Sequence, residues 1–274
     1  MRIKALLEKY NLRPSKSLGQ NFLYDESIAR KVIAAADLTP ADHVIEVGPG
    51  LGILTRPLAE QAGRVVAIEL DRCLIQILQE TISPLCNIEI VEGDVLRTDL
   101  VELVPPGVPY KVIANLPYYI TSAAIRHFLE ATRRPQLLVI MVQREVAERI
   151  LATPGKMSLL SVGVQFYGQP HLVARVSRGA FYPSPRVDSA ILRIDVYDHP
   201  PVWGDNPARF FQVVRAGFSQ RRKQLRNSLS AGLRLSAQEI TDALRAHNLD
   251  EKLRPQMLSI EDWGKICDAI PISR

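Results

Sequence analysis

The chain has 274 residues, 47% apolar and 23% charged, with 34 basic against 29 acidic side chains, a net charge of +5 and a pI of about 9.2. That length suits one large domain, or a large one with a small companion, and buries a core without disulfide or metal staples. Cys73, Cys86 and Cys267 have no metal-ligand spacing, residues 1–12 are charged throughout, and the longest apolar run is only 137–142; these features exclude secreted, zinc-finger and membrane-spanning classes and predict a reducing, cytoplasmic location.

From residue 43 to about 196, short β-branched runs alternate with helical patterning. Strands are predicted at 43–47, 64–69, 87–91, 110–114, 137–143, 171–177 and 187–196, and helices at 53–61, 71–82 and 121–131, with Asp71 and Thr121 as N-caps. Most of the strands are continuously apolar, as expected when helices cover both faces of a sheet, so the alternation predicts a doubly wound α/β architecture. The breaker-rich segment 199–207 ends this region. Helices follow at 208–219, 221–232, 236–247 and 260–268, with Ser236 and Glu239 at capping-box spacing. The expected division is a sheet domain with an N-terminal arm over 1–200 and a small all-helical domain over 207–274, packed by Trp203 and Trp263.

The basic excess is clustered. Arg209 to Arg234 carries seven basic residues and no acidic one, and the first twenty residues hold five basic against one acidic. A solvated helix face normally mixes signs to gain i,i+4 pairs, whereas a one-sign patch repels itself unless a polyanion neutralises it. Arg221, Arg222, Lys223 and Arg226 are therefore expected to contact nucleic-acid phosphates.

At the end of the first predicted strand stands Glu46-Val-Gly-Pro-Gly-Leu-Gly52, opening into a helix. Glycines there allow a sharp turn and a ligand lying against bare backbone. Glu69 closes the second strand, where a carboxylate accepts from both ribose hydroxyls, and Asp94 follows the third, placed either for an adenine amine or simply to cap a turn. The glycine spacing is one residue tighter than the dinucleotide pattern, and Glu46 would repel a pyrophosphate but suit a cationic amino-acid tail, so S-adenosylmethionine fits better than NAD.

After the fourth strand comes Asn115-Leu-Pro-Tyr118. Pro117 keeps Leu116 extended, so the Asn115 side-chain oxygen and the Leu116 carbonyl form two acceptors for both hydrogens of an exocyclic amine. Two acceptors favour a pyramidal nitrogen whose lone pair can point at a methyl group. Catalysis by positioning, worth up to about 7–11 kcal/mol, then requires no acid or base. Tyr118, and Phe181 in the proline-stiffened segment 181–189, are candidates to stack on the two faces of a flipped base, although a core ring is the commoner role for either.

Taken together, Gln20-Asn-Phe-Leu23, Glu46 to Gly52, Glu69, Asp94, Asn115 to Tyr118 and Phe181 to Ser189 stand in the order of the ribosomal RNA adenine-N6,N6-dimethyltransferase family, which the chain resembles over nearly its whole length. The segment 216–229 is similar to the C-terminal signature of the family's bacterial small-subunit branch. The resemblance implies a Rossmann-like class I methyltransferase sheet, mostly parallel with its last strand antiparallel. It also implies transfer of four methyl groups to two adjacent adenosines near the 3′ end of 16S rRNA in an immature small subunit; the residues themselves call for no metal and demand nothing beyond a monomer. Carried over by motif, Asn21, Leu23, Gly48, Glu69, Asp94 and Asn115 would line the S-adenosylmethionine site. Asn115, Leu116, Tyr118 and Phe181 would hold the target adenine. Leu18 departs from the family, which often has an aromatic there. The rival readings are a large-subunit rRNA dimethyltransferase, a DNA adenine methyltransferase, and a non-catalytic assembly factor on the same fold.

Overall fold

A computed structural model describes residues 3–82, 85–200, 203, 206–220 and 222–270. Among these, the first part of the chain runs α1 (Ile3–Lys9), β1 (Phe22–Leu23), α2 (Glu26–Ala36), β2 (His43–Val47), α3 (Thr55–Gln61), β3 (Arg64–Glu69), α4 (Arg72–Ile82), β4 (Ile88–Glu92), α5 (Leu100–Leu103), β5 (Tyr110–Asn115), α6 (Thr121–Leu129) and β6 (Leu137–Gln143). There follow α7 (Arg144–Ile150), α8 (Leu159–Tyr167), β7 (Gly168–Val176), β8 (Phe181–Tyr182), β9 (Ser189–Val196), α9 (Pro207–Phe218), α10 (Leu225–Leu233), α11 (Ala237–Ala246) and α12 (Ile260–Ala269). No helix among the described residues is long and apolar enough to cross a membrane.

Seven strands form one sheet in the order β4-β3-β2-β5-β6-β9-β7. The neighbours from β4 to β6 pair in parallel and β9 pairs antiparallel to β6, the doubly wound arrangement expected. Interior strands are buried almost continuously, whereas edge strand β4 alternates half-buried and exposed residues because one of its sides has no partner strand. Ile28, Val32 and Ile33 of α2 and Leu58 of α3 pack in one cluster with Val44, Val65, Ile113 and Val139 of the sheet. The buried ammonium of Lys111, in β5, is held by the Asp42 carboxylate at 3.0 Å and the carbonyls of Ala36 and Asp37 at 3.2 and 2.7 Å, so its charge is fully coordinated.

Several local expectations change. Helices α1, α2, α5, α7 and α8 and the antiparallel pair β1–β8 were not anticipated; two-residue strands carry no readable periodicity. Asp71 does accept the Cys73 N–H at 3.0 Å, but Thr121 is no cap. Ile120 precedes α6 in helical conformation without a side-chain bond, and the buried Thr121 hydroxyl instead donates to the Pro117 carbonyl at 3.2 Å. The predicted helix over 221–232 begins at Leu225, because Gln224 is extended and the Lys223 N–H is already bound to the Gln220 carbonyl.

The chain divides into two compact units, 1–147 with 170–196 and 148–169 with 197–274, rather than at one point near residue 200. Packing within the second unit explains why 148–169 belongs to it: Phe166 of α8 stacks on Phe210 of α9 with centroids 4.4 Å apart and meets Phe211 edge-on at 5.0 Å. Trp263 is fully buried, and Trp203 donates its indole N–H to the Gly264 carbonyl at 3.0 Å. The Arg209 guanidinium lies over the Trp203 ring and donates to the carbonyls of Cys267 and Ile270, so one of the clustered basic residues is spent inside the unit.

Gly217 lies inside α9, where glycine costs helix stability relative to alanine. The reason for its presence is the ring of Trp263: a Cβ at Gly217 would come within 2.9 Å of Cζ3 and closer still to the neighbouring ring carbon. We therefore predict that Gly217→Ala destabilises the protein by about 1–3 kcal/mol instead of stabilising it. Thermal unfolding checks this, and a raised melting temperature would show that the ring has room to move.

Candidate active site

The strand order reverses direction between β2 and β5, and ligands of open α/β sheets sit at the carboxyl ends of the strands at such a point. Register sets the geometry. Val47 stands opposite Ala114 on one side and Ile68 on the other, so the chain leaves β2 at Gly48, β3 after Glu69 and β5 at Asn115 on one level. Gly48, Gly50 and Gly52 follow with φ of +65°, +59° and +84°, conformations strained for any residue with a Cβ. A Cβ on Gly48 would meet nothing closer than the Asn115 carbonyl oxygen at 3.8 Å. The missing side chain leaves open space between the two strand ends, which is the shape a ligand needs.

Glu69 ties this loop to β3. One carboxylate oxygen accepts the N–H groups of Leu70 and Asp71 at 2.8 and 2.9 Å, and the other accepts that of Gly50 at 3.3 Å. Burial pushes its pKa up while these three donors oppose the rise. Each carboxylate oxygen retains acceptor capacity for a ligand hydroxyl. Asp94 both caps a turn, accepting the Leu96 N–H at 3.0 Å, and forms part of the cavity wall, so its two sequence readings are compatible.

A single cavity of about 240 Å³ collects every residue singled out for cofactor and target: Asn21, Leu23, Gly48, Glu69, Asp94, Asn115, Leu116, Tyr118 and Phe181 all line it. Glu46 does not. It is 1% exposed, and the Thr55 hydroxyl beside it favours its charged form without making a well-formed hydrogen bond. Burial raises its pKa to about 8, with the Thr55 hydroxyl opposing the rise and the Glu69 charge adding to it, so the protonated acid is favoured near pH 7. Glu46 stands outside that lining, whereas the sequence reading set its carboxylate toward a cationic tail.

The N-terminal arm closes one side. Gln20 accepts the Ser15 N–H and donates to Asp71, both at 2.7 Å, and the Asn115 Nδ2 donates to the Asn21 carbonyl at 3.4 Å. With its nitrogen committed there, the Asn115 amide leaves Oδ1 for an incoming donor. Leu116 is fixed by its N–H to the Met141 carbonyl at 3.2 Å, while the Pro117 carbonyl is consumed by Ile120 and Thr121. Among the described residues no donor meets the Leu116 carbonyl, so both proposed acceptors are open to an incoming amine. Beside Leu18, the bare Gly19 lets the Tyr119 ring approach to 3.2 Å of where a Cβ would be.

Tyr118 and Phe181 differ in kind. Phe181 is 3% exposed and belongs to the apolar core cluster, so it is a packed ring that also reaches the cavity wall. The Tyr118 hydroxyl lies 2.8 Å from the Ser189 hydroxyl, and burial pushes its pKa up, leaving a neutral phenol. Phe22 and Pro117, already part of the quoted motifs, also line the cavity, as do Leu70 and Val95, which no sequence signal marks except adjacency to Glu69 and Asp94. Arg222 and Lys223 are exposed in the turn before α10, Arg226 is half-buried on its first turn, and Arg221 lies outside the described residues. Among the described residues no cluster of three His, Cys, Asp or Glu side chains is placed to hold a metal.

Comparison with known proteins follows the same lines. The family model described as ribosomal RNA adenine dimethylase matches residues 11–270. The chain is 46% identical over 264 residues to the ribosomal RNA small subunit methyltransferase A of Dehalococcoides mccartyi, covering 96% of this chain and 91% of that one. It is 45% identical over 272 residues to the protein of the same name from Clostridioides difficile, covering 97% and 94%. Among solved structures, the 23S rRNA methyltransferase ErmE matches with a TM-score of 0.75 at 30% identity, covering 91% of this chain and 99% of that one. A dimethyladenosine transferase from Plasmodium falciparum matches with a TM-score of 0.77 at 27% identity, covering 89% and 95%.

The neutral Glu46 makes stability pH-dependent in a definite direction. Its carboxyl ionises near 4.5 in the unfolded chain and near 8 in the folded one, so between these values the folded state holds the extra proton and loses stability as pH rises. Glu46→Gln, uncharged throughout, removes that loss. Its stability relative to the parent is expected to climb from pH 5 to 8 by on the order of a few kcal/mol and then to level off. Denaturant unfolding across that range checks it, and parallel pH profiles would mean that Glu46 is ionised in the fold.

Proposed function

The chain belongs to the ribosomal RNA adenine dimethylase family, and from that premise we propose that it uses S-adenosylmethionine to dimethylate the N6 amines of two adjacent adenosines near the 3′ end of 16S rRNA, in an immature small subunit. The observation that carries this reading is the pair of uncommitted oxygens, Asn115 Oδ1 and the Leu116 carbonyl, at the β5 end of the cavity that Gly48 and Glu69 shape from the other side. The small-subunit choice rests on the relatives at 45–46% identity that carry that name, against 30% for the 23S rRNA enzyme.

The cofactor fits this chain's residues. Glu69 has acceptor capacity for ribose hydroxyls, Asp94 stands on the wall for an adenine amine, and Gly48 leaves the space a side chain would fill. Bound there, S-adenosylmethionine supplies an electrophilic methyl group. The protein's own work is on the acceptor nitrogen, whose lone pair is normally delocalised into the purine. Asn115 Oδ1 and the Leu116 carbonyl accept its two hydrogens, hold it pyramidal and turn the lone pair outward. Tyr118 and Phe181 enclose the base, which leaves the stack at a cost of a few kcal/mol repaid by contacts worth about 1–3 kcal/mol each. After transfer the nitrogen is acidic and releases its proton to water, so no side-chain base is needed. Arg222, Lys223 and Arg226, with Arg221, are the phosphate contacts in this reading.

Asn115→Ala is expected to lower turnover by about 10²-fold, the scale of one well-placed transition-state hydrogen bond, while cofactor affinity changes by less than about tenfold. Glu69→Ala is expected to invert the order, with affinity falling about tenfold or more and turnover at saturation less affected. The measurements are calorimetric titration and mass spectrometry of nucleosides from small-subunit RNA, where the parent yields N6,N6-dimethyladenosine. Equal loss of binding and turnover in Asn115→Ala, or labelling of stripped large-subunit RNA alone, would overturn the reading.

A further inference from the structure

We infer that Ser189 is a positioning residue that sets the angle of the Tyr118 ring through a hydroxyl–hydroxyl bond, and that this bond governs the second methyl transfer more than the first. The inference rests on the reading of Asn115 to Tyr118 as the amine-holding loop.

The geometry is specific. Tyr118 Oη and Ser189 Oγ are 2.8 Å apart across 71 residues of sequence, and Ser189 is fully buried. Ser189 is the first residue of β9 and stands opposite Gln143 in the antiparallel ladder, so its backbone does not move independently of the sheet. A tyrosine held at Cβ by the chain and at Oη by a fixed hydroxyl has both ends of its ring axis pinned. The preceding residue does the same for the other wall. The Asp188 carboxylate accepts the Arg178 N–H at 3.0 Å, and its carbonyl accepts the Arg144 N–H at 3.0 Å, which ties the segment carrying Phe181 to the end of β6. Two consecutive residues thus hold both aromatic walls to one strand end. Stacking alone does not call for a phenol, since phenylalanine stacks as well; the hydroxyl is accounted for by its partner.

Product chemistry shows where this matters. The unmodified amine offers two N–H groups to two acceptors. After one methylation only one N–H remains, one acceptor goes unused, and the amine's orientation depends more on how tightly the rings hold the base. Loosening Tyr118 should therefore impair the second transfer selectively.

The test uses the full-length enzyme with Ser189→Ala, Tyr118→Phe and the double variant, measuring kcat and KM for small-subunit RNA and the ratio of N6-monomethyladenosine to N6,N6-dimethyladenosine. The expected result is a rise of the ratio by about tenfold in each single variant, the scale of one hydrogen bond, with KM little changed and the double variant no worse than either single. Ser189→Thr, which retains a hydroxyl, should restore part of the dimethyl product. Tyr118→Phe opens no cavity in β9 and carries the test alone if Ser189→Ala does not fold. Unchanged ratios, or effects that multiply in the double variant, overturn the positioning role. A parent enzyme that makes no dimethyladenosine overturns instead the function on which it rests.

Discussion

The parallel pairing of β2 with β5 is the constraint on which the site depends. These two strands are neighbours in space but far apart in sequence, because the chain first builds outward through β3 and β4 and then returns to the other side of β2. At that place the connections leave in opposite directions, so no crossover covers the gap between the strand ends. The ladder from His43–Tyr110 to Val47–Ala114 brings Gly48 and Asn115 to the same height, and the gap becomes a cavity with backbone on one side and a carboxamide on the other. A slip of one residue would turn Asn115 to the opposite face of the sheet and leave an apolar neighbour in its place.

Two carboxyl groups at the base of this gap behave differently, and position explains why. Glu69 ends its strand and meets three backbone N–H groups, which offset the cost of burying a charge. Glu46, one residue short of its strand end, has sheet neighbours on both sides whose backbone groups are already paired, so no backbone N–H is available to it and only the Thr55 hydroxyl opposes the cost of its charge. One residue type thus gives a hydrogen-bond acceptor at the ligand wall and a neutral acid in the interior, separated only by distance from the strand end.

Much of this was legible in the sequence because it follows from local chemistry. The five parallel strands announced themselves by short apolar runs, the capping box of Ser236 and Glu239 is formed as its spacing implies, and proline at 117 together with glycines at 48, 50 and 52 marked the two loops that face each other. What was not legible depends on contacts between distant segments. The Ser189–Tyr118 bond spans 71 residues, β1 and β8 are two residues each, and the reason for Gly217 is a ring 46 positions away, from 263 − 217. Thr121 failed as a cap for a related reason: its hydroxyl found a better acceptor in the turn made by Pro117, and a burial pattern that excludes water left it no other role.

The same distinction separates the two kinds of residue in the proposed chemistry. Asn115 and Leu116 act through atoms whose direction the local backbone sets, one by a strand end and the other by the proline that follows. Their neighbour Tyr118 acts through a ring whose direction the local backbone leaves open, because rotation about two side-chain bonds sweeps it over a wide arc. Something outside the loop must therefore select one orientation, and a bond to a buried residue of β9, two strands away in the sheet, does so at the cost of only one hydroxyl on each side. A methyltransferase that stops after one methyl group has less need of such a restraint, since the unmodified amine is oriented by two acceptors. One that must act twice on a nitrogen that loses a donor at each step needs an orientation independent of the amine itself.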